Sequence, residues 1–272
     1  MGAEFGPLVS SEWLAGHLSE VRVVDVRWYL DGRSGREAYE AGHVPGAVWL
    51  DIDTELSGPA SAADGRHPLP APAAFAAALG RAGIAAGQPV VAYDDAGGSI
   101  AARLWWLLRA LDEPAAVLDG GLASWPGELS ADVPEIARVS RTVLPWPAAR
   151  FADADEVAAT HATVLDARTA SRHAHGDPAI DPRPGHIPGA LSAPWAANLD
   201  PASGRFLGAD TLRERFAALG VASGPVLAYC GSGVTACHAL LALELAGITD
   251  AALYPGSWSQ WAADPARPAE TG

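Results

Sequence analysis

The sequence predicts an α/β protein of two tandem domains, each a mostly parallel sheet flanked by helices. Three observations carry that expectation. Short apolar runs of strand length alternate with Ala- and Leu-rich stretches of helical character. The alternation is written twice, in the same order. Between the copies, Ser130 to Ala149 is a patternless segment containing Pro134, Pro145 and Pro147, and it reads as a linker. The expected domains are therefore 7–130 and 150–272, joined by 131–149.

The elements follow in sequence order. A first buried strand, Val23-Val24-Asp25-Val26-Arg27, returns as Val164-Leu165-Asp166-Ala167-Arg168. The turn Gly42-His43-Val44-Pro45-Gly46-Ala47 returns as Gly185-His186-Ile187-Pro188-Gly189-Ala190. The helical stretch Phe75 to Gly83 is answered by Phe216 to Val221, and the strand Val90-Val91-Ala92-Tyr93 by Val226-Leu227-Ala228-Tyr229. Ala101 to Leu111 matches the helix-like run from Ala236 to Leu245, and Val117-Leu118-Asp119-Gly120-Gly121 matches Ala252-Leu253-Tyr254-Pro255-Gly256. Both copies close on a tryptophan, Trp125 and Trp261. One short match can arise by chance; this many in register cannot.

With 272 residues, 49% of them hydrophobic, the chain can bury two ordinary cores. Acidic residues outnumber basic ones 32 to 18, for a formal charge of −14, and every basic residue is Arg. That balance argues against nucleic acid or an anionic membrane as partner. An anionic substrate must be drawn in by local arginines against the field of the whole chain. The two cysteines flank a loop and the helix it opens, which does not suggest a disulfide and fits a cytoplasmic protein. Met1 to Trp13 has neither a basic nor a continuous apolar leader, and no apolar run approaches membrane length.

The copies part company at one strand end. Cys230 follows Tyr229, whereas Asp94 follows Tyr93, and the loop Asp94-Asp95-Ala96-Gly97-Gly98-Ser99 holds no nucleophile. The first domain is expected to be catalytically silent, serving structure or forming a wall of a substrate cleft. After Cys230, Gly231 and Gly233 let the backbone fold tightly around the sulfur, so that successive N–H groups and the N-terminus of the next helix point toward it. A helix terminus contributes up to about 2 kcal/mol in a partly buried site. Direct N–H···S bonds must supply the rest of the stabilisation of a reactive thiolate. A cysteine phosphatase would need an Arg where this chain has Ala236, and no basic residue lies from Cys230 to Cys237, so phosphate would meet only neutral donors.

Cys237 with His238 does not make a metal site, because zinc needs three or four convergent ligands and no Cys-x-x-Cys pair exists. Cys237 is expected to pack in its helix. His173 and His175 read as solvated residues beside Arg172, and Trp195 as the tryptophan that faces a substrate.

Tyr39-Glu40-Ala41-Gly42-His43-Val44-Pro45-Gly46-Ala47 and Tyr254-Pro255-Gly256-Ser257-Trp258-Ser259-Gln260-Trp261 resemble the two signatures of the rhodanese superfamily of sulfurtransferases, and the likeness extends over nearly the whole chain. Gln260 stands where that family usually has Glu, a change expected to affect packing more than chemistry. The loop Cys230-Gly231-Ser232-Gly233-Val234-Thr235 resembles the 3-mercaptopyruvate branch rather than the thiosulfate branch, whose loop carries basic residues. A neutral loop suits a donor whose carboxylate is remote from its sulfur.

The resemblance implies a Cys230 persulfide intermediate with no separate cofactor and no metal. Gly231, Gly233, Val234 and Thr235 would cradle it, and Arg168, Arg172 and Arg183 would hold the donor's carboxylate. His43 and Ser232 would belong to a proton relay, with Asp31 standing in for the usual Asp. The implied acceptors are cyanide, a small thiol or a thioredoxin. Two alternatives stay open: a thiosulfate:cyanide transferase, and a persulfide carrier or scaffold for a protein partner.

Overall fold

The computed structural model describes residues 5–221 and 224–272. Residues 1–4, part of the leader reading, lie outside it. The chain divides into two compact units. The first comprises Met1–Gly58, Pro70–Trp146 and Ser203–Arg205, and the second Pro59–Leu69, Pro147–Ala202 and Phe206–Gly272. Each unit thus takes in a short segment from the other half of the chain.

In the first unit the elements run β1 (Leu8–Val9), α1 (Ser11–His17), β2 (Arg22–Asp25), α2 (Gly35–Ala41), β3 (Val48–Trp49), α3 (Pro72–Arg81), β4 (Val90–Tyr93), α4 (Ala101–Ala110) and β5 (Ala115–Leu118). The strands form one sheet in the order β1-β5-β4-β2-β3, with every pairing parallel. The helices begin where the sequence offers caps: Ser10 accepts from the Trp13 N–H and Ser34 from the Glu37 N–H, while Pro72 opens α3. Val9, Leu14, Val23, Val44, Val91 and Tyr93 pack into a core on the sheet. Trp105 and Trp106 of α4 are fully buried.

The second unit repeats the plan with α5 (Ala154–Ala159), β6 (Thr163–Asp166), α6 (Ala170–His175), β7 (Leu191–Ser192), α7 (Ala209–Ala218), β8 (Val226–Tyr229), α8 (Ala236–Leu245), β9 (Ala251–Leu253) and α9 (Ser257–Trp261). Its sheet runs β7-β6-β8-β9, again parallel throughout. Phe151 makes a parallel bridge to Leu253, in the place that β1 fills beside β5. Helix α8 is apolar around its circumference until Glu244, so it is buried on all sides, as that pattern requires.

The repeated sequence motifs close each unit with the same buried network. In the first, Arg27 grips Asp25 at 2.6 Å, donates to the Gly42 carbonyl at 2.7 Å, and Tyr93 donates its hydroxyl to Asp25 at 2.8 Å. In the second, Arg168, Asp166, Gly185 and Tyr229 make the same contacts at 2.6, 2.8 and 2.8 Å. Asp25 pairs with Tyr93 in register, and Asp166 with Tyr229. The Asp-x-Arg strand end, the Gly-His turn and the strand-final Tyr recur because a buried charge needs all of its partners.

The segment read as a linker is held against the first unit. Val139 donates its N–H to the Gly80 carbonyl at 3.0 Å, Arg141 pairs with Glu113 at 2.7 Å, and the Trp146 indole donates to the Pro70 carbonyl at 2.8 Å. Residues 131–147 form neither helix nor strand, yet they are anchored at several points.

Candidate active site

Strand β8 ends at Tyr229, and Cys230 follows, 2% exposed. Its sulfur accepts from the Gly233 N–H at 3.1 Å and more weakly from the Ser232 N–H at 3.5 Å. The loop behind it is held by α9: the Trp258 N–H donates to the Cys230 carbonyl and the Ser259 N–H to the Gly231 carbonyl, both at 3.0 Å. The Ser257 hydroxyl accepts from the Cys230 N–H at 3.1 Å and donates to the Tyr254 carbonyl at 2.9 Å. Ser257 sits at φ +51, a left-handed conformation that costs a non-glycine residue about 1 kcal/mol or more and is retained here by those bonds. The signature around Trp258 is therefore the scaffold of the nucleophile loop.

Gly233 is obligatory, and Gly231 leaves room for two side chains. Gly233 has φ +83, and a Cβ there would lie 2.4 Å from the Pro255 carbonyl oxygen. At Gly231 a Cβ would meet the Arg66 guanidinium at 2.8 Å and that of Arg172 at 2.9 Å. The loop itself is neutral, as its sequence requires, but two cations converge on it from elsewhere in the second unit. Val234 is buried and Thr235 begins α8. The Cys237 thiol donates to the Gly233 carbonyl at 3.4 Å, packed in its helix as expected.

Arg66 went unrecognised in the sequence. It lies in the Pro59–Leu69 segment, which the first half of the chain contributes to the second unit. Ser259 Oγ accepts from the Arg66 N–H at 3.0 Å, and the guanidinium donates to the Ile180 carbonyl at 2.6 Å. Burial pulls its pKa down, an effect opposed by the negative charge of Cys230. Gln260 donates its amide to the Ala63 carbonyl at 2.5 Å, a bond that a Glu could not make, so the departure from the family pattern fits this segment. A signal was present: Pro59-Ala60-Ser61 and Gly65-Arg66 recur as Pro201-Ala202-Ser203-Gly204-Arg205, and Ser203–Arg205 is the segment exchanged in the other direction.

The three expected arginines occupy different positions. Arg172 stands over Gly231, gripped by Asp181 at 2.5 and 3.0 Å. Arg168 has no exposed side-chain surface and is the counterpart of Arg27, holding Asp166; only its Nη1 lacks a hydrogen bond, 3.7 Å from Asp181. Arg183 donates to the Arg267 carbonyl at 2.6 Å and stacks over Trp258, pinning the C-terminal segment. Burial pushes the Asp166 carboxyl up, but hydrogen bonds from His173 and Arg168, with the Arg168 charge, outweigh it and hold the group below its ordinary value.

The histidines also differ from expectation. His43 is fully buried in the first unit, stacked on Tyr39 at 4.0 Å, with its ring nitrogens 2.7 and 3.2 Å from the Tyr39 and Asp132 carbonyls. Its main chain bridges Ser130, as that of His186 bridges Glu270, so both turns tie down the segment that follows their unit's last helical turn. His173 is not solvated. It stacks on His186 at 3.7 Å and faces Asp166 at 3.1 Å, whereas His175 is exposed. Asp31 is exposed and paired with Arg33 at 2.9 Å, and Trp195 packs edge-on against His238. Ser232 is 8% exposed beside the sulfur. No cluster of metal ligands occurs among the described residues, and no helix among them is long and apolar enough to cross a membrane.

The family model for the rhodanese-like domain matches residues 10–128 and again 149–264. The chain belongs to the rhodanese-like family. Among its relatives, the 3-mercaptopyruvate sulfurtransferase of Escherichia coli is 35% identical over 96% of this chain and 97% of that protein, and the human one is 36% identical over 93% and 91%. A Mycobacterium tuberculosis relative, provisionally named as a thiosulfate sulfurtransferase, is 39% identical over 97% of each chain. The solved structure of SseA from Escherichia coli matches with a TM-score of 0.81 at 31% identity, covering 93% of this rhodanese-like chain and 98% of that one.

Proposed function

We propose that this rhodanese-like protein is a sulfurtransferase that moves sulfur from 3-mercaptopyruvate through a Cys230 persulfide to a thiophilic acceptor. The observation that carries the reading is a single sulfur nucleophile held by two main-chain N–H groups, with two guanidiniums beside the same loop. The Cys230 thiolate attacks the donor's sulfur. The carbon–sulfur bond breaks, its electron pair leaves as the enolate of pyruvate, and a proton completes pyruvate. The outer sulfur stays on Cys230 as a persulfide, so no separate cofactor is required. Cyanide or a thiol then attacks that outer sulfur and regenerates the thiolate.

Arg66 and Arg172 are the residues we assign to the donor's carboxylate, which a guanidinium binds in bidentate fashion. Ser232, whose main-chain N–H lies 3.5 Å from the Cys230 sulfur, is the residue we assign to the proton that completes pyruvate. Arg168, Arg183 and His43 take positioning and structural roles. Free Cys230 and Cys237 suit a reducing, cytoplasmic setting.

A second reading, thiosulfate as donor, is favoured by one specific observation: cations do reach the neutral loop, within about 3 Å of a Cβ on Gly231. The experiment is steady-state transfer to cyanide from both donors with one preparation. A kcat/KM at least tenfold higher for mercaptopyruvate, about 1.4 kcal/mol of transition-state discrimination, supports the first reading, and a preference for thiosulfate supports the second.

A further inference from the structure

One turn holds both of the arginines that flank the nucleophile. Ile180 offers its carbonyl to Arg66 at 2.6 Å, and the next residue, Asp181, grips Arg172 through both carboxylate oxygens at 2.5 and 3.0 Å. The turn is itself braced: the Asp177 N–H donates to Asp181 Oδ2 at 2.9 Å, and the Asp181 N–H donates to the Asp177 carbonyl at 2.7 Å. The Asp181 side chain is 1% exposed.

The charge count of this cluster has a consequence for the donor. Arg66, Arg168 and Arg172 are the cations, and Asp166 and Asp181 the buried anions that face them. Arg168 is matched by Asp166 and Arg172 by Asp181, and the charge of Arg66 is opposed by that of the Cys230 thiolate. Arg66 bonds a neutral carbonyl and has no carboxylate partner among the described residues. Such a site has little positive charge to spare, so a donor with one negative charge leaves less uncompensated charge in a partly desolvated place than a dianion does.

We propose that Asp181 is a specificity-determining residue: by holding Arg172 and cancelling its charge, it sets the donor site for a monoanion and against a dianion. The inference rests on the sulfurtransferase reading above. Arg172 is thereby oriented without adding net charge.

The test compares mercaptopyruvate and thiosulfate, a carboxylate monoanion and a small dianion, as donors to cyanide with wild type and Asp181→Asn. Asn keeps the shape and can still accept from Arg172, but it removes the negative charge. The expected result is a rise of at least about fivefold in the thiosulfate-to-mercaptopyruvate ratio of kcat/KM. Equal losses for both donors would mean that Asp181 only supports the fold, and would overturn the proposal. A shift toward mercaptopyruvate would overturn it as well. Arg172→Gln gives the opposite change in charge, and the same ratio should fall; a rise or an unchanged ratio counts against the proposal even where Asp181→Asn does not fold. Wild type that turns over neither donor would instead defeat the sulfurtransferase reading, an outcome distinct from an active wild type whose variants leave the ratio fixed.

Discussion

Asp94 and Cys230 stand at the same strand end in the two units, each facing a glycine-bearing loop that leads into a buried helix. The Asp94 carboxylate accepts four main-chain N–H groups, from Ala96, Gly98, Ile100 and Ala101, all at 2.8 Å. Cys230 accepts two, at 3.1 and 3.5 Å. Burial raises the Asp94 carboxyl above its ordinary value, against the pull of those four donors. Both of its oxygens face donors, so the ionised form is the one the loop fits. The first unit has built its anion into the chain and saturated the loop with it. The second unit offers a larger, softer atom with fewer donors, and it surrounds that atom with arginines. One loop is saturated by a carboxylate of the chain itself, and the other leaves a less fully bonded sulfur, as the proposed sulfur transfer requires.

The largest effect expected from breaking this contrast is on turnover. Cys230→Ser should lower sulfur transfer by at least about a thousandfold, since the oxygen is a far weaker nucleophile at neutral pH. Circular dichroism and melting temperature should stay close to wild type. Appreciable residual transfer would refute the assignment of the nucleophile.

Asp94→Ala should show the reverse pattern. It strands buried N–H groups, each costing about 1–3 kcal/mol, so urea denaturation should report a loss of several kcal/mol. A stability equal to that of Cys230→Ala would mean that the two loops are not built differently.

Arg66→Ala should reduce kcat/KM for mercaptopyruvate by about 10- to 150-fold, the range for a charge-assisted hydrogen bond worth about 1.5–3 kcal/mol. His43→Gln should lower stability more than it lowers kcat. A large loss of kcat in a well-folded His43→Gln protein would restore the relay role first expected of it.

Acid titration sharpens the comparison of the buried networks. Asp166 is held below its ordinary value, so its contribution to stability is present in full above the usual carboxylate range, near pH 4, and is lost as pH falls through the lower folded value. Melting temperature in wild type should therefore show no pH dependence from Asp166 between neutrality and about pH 5, and Asp166→Asn should lose its deficit relative to wild type only in strong acid. The smallest effect is expected for Gln260→Glu, which removes one amide donor to Ala63 and should cost about 1 kcal/mol with a modest rise in KM.

Much of this was legible in the sequence. The doubled strands, the Gly-His turns and the contrast between Asp94 and Cys230 are local patterns, and they survive folding in register. Gly233 declares itself because only glycine tolerates its φ with the Pro255 carbonyl so near. What stayed hidden depended on contacts made at long range. Arg66 sits in a run of small residues and prolines with no periodicity, and nothing local says that Pro59–Leu69 joins the second unit. Arg168 entered the expected ligand set through the family resemblance, but Arg27 makes the same contacts in the unit where Asp94 replaces Cys230. A feature kept in both units serves what both have, which is the fold. Arg66 has a counterpart in Arg205, and what sets it apart is its approach to Gly231 in the loop that only the second unit carries.

The most direct measurement is the intact mass of the protein after exposure to 3-mercaptopyruvate with no acceptor present. The account predicts a gain of one sulfur atom, located on Cys230 by peptide mapping and released as thiocyanate on addition of cyanide. Pyruvate formation with no sulfur retained on Cys230, or with the added sulfur on Cys237, would contradict it.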